Sequence, residues 1–168
     1  NGSPNQLINL KGNHEAMMLD AYFDDQNGSY DFWVKHGGDK TIRSYRMAGF
    51  DRPPEPHFSW IRKLKTFHWD RDAQLIFVHA GIVPSKFPND GAEVHMWSRS
   101  RQFFDLEDWG DDLPIGTRVV HGHTPTQNGK PEIKGNYTRI NIDTGACYGE
   151  ELTAAVFAPG DVPRFITS

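Results

Sequence analysis

Cysteine occurs once in these 168 residues, at Cys147, which excludes an intrachain disulfide framework and suits a reducing compartment. No stretch approaches the roughly eighteen uninterrupted apolar residues of a membrane-spanning helix. No basic segment followed by an apolar core opens the chain as a secretory signal would. Positive charge is scarce too: 18 Lys and Arg stand against 22 Asp and Glu, for a net charge of −4. The basic residues are scattered, not gathered into the stripe that a nucleic-acid surface requires. A soluble, cytoplasmic protein with no membrane or nucleic-acid partner is therefore expected. Repeats and low-complexity segments are absent, as are the GxxxxGK[ST], GxGxxG and GxSxG patterns of phosphate loops, dinucleotide folds and serine hydrolases.

What is present is apolar and aromatic. Hydrophobic residues make up 37% of the chain, with five Trp and eleven Phe, enough for one packed domain. "LINLKG" reads as a short buried strand, and the apolar spacing of "HEAMMLDAYF" predicts a helix after it. A second helix is expected over "SYDFWVKH" with Ser29 as its cap, interrupted by Gly37-Gly38 before a third over "DKTIRSYR". "DRPPEP", residues 51–56, reads as a loop, and "HFSWIRKLKTF" puts Phe58, Ile61 and Leu64 on one helical face. Strands follow. "TFHWDRDAQLIFVHAG" predicts a hairpin turning at "DRD", "TRVVHGHT" a short strand, "RINIDTGA" and "ELTAAVFAP" a further pair, and "PRFITS" an edge strand. Helices early and strands late imply a layered α/β or α+β domain.

Three segments share one pattern, an apolar run that breaks into a small residue beside a polar, metal-capable one: "INLKGNH", "LIFVHAG" and "RVVHGHT". Active sites of open α/β sheets collect where strands end. His79 and His123 present imidazoles, common ligands of first-row metals, and Asn13 presents an amide oxygen suited to a harder ion. Each taken singly also reads as a polar residue satisfied in its own loop. Asn and two neutral imidazoles bring no negative charge to a dication, so such a site lacks a carboxylate. Glu15 fits a first-turn acid at a helix start. Asp143 reads equally as a turn-former or as a residue orienting a histidine. His14 is either an exposed helix residue or a general acid, and Arg99 and Arg101 are either solvated or phosphate-binding guanidiniums.

"LKGNHE", "FVHAGI" and "VVHGHTPT", in that order, resemble the last three metal-site motifs of calcineurin-like metallophosphoesterases. The likeness is strongest to the phosphoprotein-phosphatase branch, with its bacterial and phage serine/threonine phosphatases and symmetrical diadenosine tetraphosphatases. "NIDTGACYGEELTAAVF" is similar to that branch's C-terminal strand pair, and the resemblance runs from Leu7 to Phe157. It implies a β-sandwich flanked by helices, with Asn13, His79 and His123 ligating one of two divalent ions (manganese, iron or zinc). It further implies His14 as the acid on the leaving group and Arg99, in "MWSR", as a phosphate-binding residue. His121 matches no ligand of the family.

The family's Asp-x-His and Gly-Asp-x-x-Asp-Arg-Gly motifs, which supply the remaining carboxylates, do not occur before GNHE. The chain is accordingly expected to be the C-terminal portion of a single metallophosphoesterase domain, 1–168, with a helical insert at about 29–66. The implied activity is metal-dependent hydrolysis of phosphoserine or phosphothreonine by a bridging metal-bound water, on a phosphorylated protein substrate. The first alternative is a symmetrical hydrolase of nucleotide polyphosphates such as diadenosine tetraphosphate. An alternative of another class is a catalytically incomplete metal-binding fragment.

Overall fold

The computed structural model describes residues 7–24 and 28–168 and divides the chain into two units, Asn1–Lys65 and Thr66–Ser168. The first is helical. Helix α1 (Asn13–Phe23) begins as expected, and the Glu15 carboxylate accepts the Gly12 backbone N–H at 2.8 Å, satisfying one donor at the helix start. Helix α2 (Ser29–Trp33) is preceded by Gly28 at φ 76°, so glycine and not Ser29 occupies the cap position. A π-helical turn, Val34–Gly38, kinked at Gly37 (φ 104°), joins it to α3 (Asp39–Met47). Helix α4 (Glu55–Lys63) starts inside the expected loop, because a proline in the first helical turn gives up no hydrogen bond.

Met17, Met18, Ala21, Trp33, Phe58 and Ile61 form the apolar interior of this unit. Tyr22 meets Trp33 and Phe58 with ring centroids 5.6 and 5.0 Å away. The expected buried strand over "LINLKG" is corrected. Leu7 and Ile8 are exposed, and only Leu10 forms a bridge, to Lys65. A strand needs a partner along its length, and among the described residues only this one position finds one.

The second unit holds a five-stranded sheet, β1 (Phe67–Asp70), β2 (Leu75–Val78), β3 (Arg118–His121), β4 (Glu132–Lys134) and β5 (Arg139–Asn141), ordered β1-β2-β3-β5-β4. The β1-β2 hairpin turns where "DRD" predicted it. Strands β2, β3 and β5 run parallel as neighbours, and β4 closes the sheet antiparallel to β5. Alternation sends Ile76, Val78 and Val119 to one face, where Ile82, Phe103 and Trp109 pack on them. Leu75, Val120 and Ile140 go to the other, against Phe157 and Phe165.

Phe165 lies in a separate two-stranded sheet, β6 (Thr153–Val156) with β7 (Arg164–Thr167), and Phe157 directly follows β6. Pairing of "RINIDTGA" with "ELTAAVFAP" is thus overturned. Ile140 is fully buried between β3 and β4, while β6 finds its partner in the final segment. Short helices α5 (Ala92–Trp97) and α6 (Arg101–Phe104) lie between β2 and β3 in sequence. This mixture of helices and a multistranded sheet is the α/β class expected.

Candidate active site at the strand ends

Parallel strands β2 and β3 end side by side, and two of the three expected strand ends therefore meet. The Gly122 N–H donates to the His79 carbonyl at 2.9 Å, which locks the two exits together. The His79 and His123 rings follow with centroids 5.1 Å apart at an interplanar angle of 62°. His123 takes φ 67°, a left-handed conformation that is uncommon for a non-glycine residue. Such strain persists where surroundings hold it, and it clusters at functional sites. Here the flanking Thr124 N–H to Gly122 carbonyl bond, 2.8 Å, holds the turn.

Arg99 reaches the same place. Its Nε–H donates to His123 Nε2 at 3.4 Å, and the Trp97 ring lies 6.3 Å from that imidazole. The competing arginine, Arg101, is solvent-exposed and pairs loosely with Asp105 at 3.6 Å. The lack of a side chain matters at Gly81, two residues after His79. A Cβ there would stand 2.7 Å from the buried Phe103 ring.

Other candidates fall into supporting places. Asp143 forms a turn, accepting the Gly145 N–H at 3.1 Å on its carboxylate. His121 is buried in the sheet, where Arg139 donates to its Nε2 at 3.0 Å and its Nδ1 lies 3.2 Å from the Gly122 carbonyl. Burial, then the adjacent Arg139 charge, pushes its pKa down to about 3, so it stays neutral near pH 7. Arg139 in turn pairs with Glu132 at 2.6 Å. No local sequence signal marks this trio, because its members are spread along three strands.

In the helical unit, Asn13 is buried at the first residue of α1, and His14 beside it is exposed. Among the described residues no group of three or more His, Cys, Asp and Glu side chains is placed to hold a metal ion. Two imidazoles such as those of His79 and His123 have the chemistry of only part of a divalent-metal ligand set. A complete set normally adds carboxylates. Among the described residues these side chains do not by themselves fit a two-ion centre. No helix among the described residues is long and apolar enough to cross a membrane.

No family model matches the chain. It is 28% identical over 155 residues, 87% of its length, to serine/threonine-protein phosphatase 1 of Salmonella typhimurium, of which it covers 64%. It is 26% identical over 133 residues, 72% of its length, to the asymmetrical bis(5'-nucleosyl)-tetraphosphatase PrpE of Bacillus cereus, of which it covers 52%. The chain therefore spans about half to two-thirds of the length of these relatives. The crystal structure of a proposed diadenosine tetraphosphatase has the same fold, with a TM-score of 0.57 at 18% identity over 95% of this chain and 68% of that one. These relatives and this neighbour fit the calcineurin-like phosphoesterase branch that the motifs resemble.

Proposed function

We propose that the chain carries the His79, His123 and Arg99 side of a phosphoesterase centre. The observation that carries this reading is the convergence of two strand-end imidazoles and one guanidinium, with His123 held in a left-handed turn. In this reading His79 and His123 hold one divalent ion, whose ligand set a carboxylate would normally complete. A bound ion would polarise the phosphoryl oxygens and make water a nucleophile near neutral pH.

The chain's own groups have distinct tasks. Arg99 offers a planar fork of N–H donors to phosphate oxygens. His14, through the motif resemblance and not through any distance, is assigned to protonate the departing oxygen, and Asn13 on the same grounds is assigned as a ligand.

The proposed substrate class is a phosphoserine or phosphothreonine monoester on protein, supported by the match to the Salmonella phosphatase, the longer of the two. A dinucleoside polyphosphate is the second reading, favoured by the name of the Bacillus relative. That name specifies asymmetrical cleavage, where the motif resemblance points to symmetrical. Side-by-side turnover of a phosphopeptide and diadenosine tetraphosphate by the whole protein separates the two. Faster hydrolysis of the phosphopeptide is expected, and exclusive cleavage of the dinucleotide would shift the assignment. The His14→Ala variant should lose turnover while retaining divalent-metal binding.

A further inference from the structure

Asp90 and His95 lie outside the proposed ligand set, yet both side chains are shut away from solvent. Their side chains are 0% and 3% exposed, and His95 Nε2 donates to Asp90 Oδ1 at 2.8 Å. The other carboxylate oxygen of Asp90 accepts the Val83 backbone N–H at 2.7 Å. On its far side, His95 Nδ1 meets the Thr66 hydroxyl at 2.8 Å, and the Phe67 and Phe87 rings lie 5.1 and 6.0 Å away. The backbone contributes as well. The His95 carbonyl accepts the N–H of Ala80, the residue after His79, at 2.7 Å.

His95 therefore ties α5 to the His79 loop twice. One tie is its own carbonyl, at Ala80. The other runs from its imidazole through Asp90 to Val83. Burying a carboxylate is costly unless its oxygens are met by donors, and here each is met by an N–H whose position the fold sets. Neither link can lengthen without stranding a buried polar group. Helix α5 ends at Trp97, two residues before Arg99, so the fixed spacing is transmitted to the guanidinium that reaches His123.

We propose that Asp90 and His95 are positioning residues that hold Arg99 at the phosphate-binding end of the site. The proposal rests on the phosphoesterase reading above and goes beyond it by naming what sets the arginine's place.

Two substitutions at one position separate the donor from the ring. His95→Gln keeps an N–H able to reach Asp90, whereas His95→Phe keeps an aromatic ring between Phe67 and Phe87 and strands the carboxylate. Orthophosphate binding to the folded whole protein is measured by titration calorimetry. Affinity should stay within about threefold of the parent for His95→Gln and fall about tenfold for His95→Phe, because misplacement of an anchoring group costs affinity and rate. With an aryl phosphate, KM should rise more than kcat falls. A role confined to stability would lower the folded fraction and leave the affinity of the folded protein unchanged.

If His95→Phe does not fold, Asp90→Asn serves instead. It keeps an acceptor for His95 but turns an N–H toward that of Val83, and it should weaken orthophosphate binding by a similar factor. Equal affinity in the parent and both His95 variants, or equal loss in both, overturns the proposal alone. Failure of the parent itself to bind orthophosphate overturns the phosphoesterase reading and the proposal with it.

Discussion

Arg99 and His123 meet through one hydrogen bond, from Nε–H to Nε2 at 3.4 Å, although 24 residues separate them in sequence. The contact places a fixed positive charge beside an imidazole assigned to hold a dication. Charge repulsion at that range opposes metal binding, while the same charge favours phosphate. Arg99→Ala should therefore move two affinities in opposite directions. Manganese binding should tighten by about threefold and orthophosphate binding weaken by about tenfold, on the scale of one charge-assisted contact. Parallel calorimetric titrations of the whole protein check this, and loss of both affinities would count against it.

The sheet beneath the site depends on a charge that it buries. Arg139, with a side chain 2% exposed, bonds both His121 and Glu132, and Glu132 is 41% exposed. Glu132→Ala leaves the guanidinium without its carboxylate. The expected cost is about 2–3 kcal/mol, below the range for a fully buried pair because solvent already screens Glu132. Chemical denaturation with an unchanged m-value is the measurement.

Close packing behind His79 gives a third expectation. A methyl group at residue 81 would press into the Phe103 ring, which has no exposed surface and no room to withdraw. Gly81→Ala should destabilise the second unit by about 1–3 kcal/mol, the usual cost of overpacking. Gly122 tests the contrast, since a Cβ there would meet only Asp143 Cβ at 3.4 Å and the His79 carbonyl at 3.8 Å. Gly122→Ala should cost well under half as much by thermal unfolding.

Much of the strand-end geometry was legible in sequence because it is local. The unbroken apolar runs Leu75–Val78 and Val119–Val120 announce buried strands, and the small residues after them announce the exits. What leaves no local mark is who pairs with whom. "RINIDTGA" carries no sign that Ile140 will pack between β3 and β4, since that choice is made by distant apolar contacts. Asp90 in "PNDGA" has the composition of a solvated turn, and His95 that of a helix surface. Only tertiary burial turns them into a hydrogen-bonded pair. The left-handed turn at His123 was equally hidden, because histidine gives no warning of a positive φ as glycine does. The Gly37 kink was visible for that reason.

Metal-dependent hydrolysis is the central claim, and chelation tests it most directly. The whole protein is stripped with a chelator and its hydrolysis of a small aryl phosphate followed as manganese is returned, beside the His123→Ala variant. The account predicts that turnover vanishes on stripping and returns with metal. In the variant, activity and manganese affinity should both fall by at least about a hundredfold, as expected when a ligand itself is removed. Turnover that survives chelation, or a His123→Ala protein that binds manganese and turns over like its parent, would contradict it.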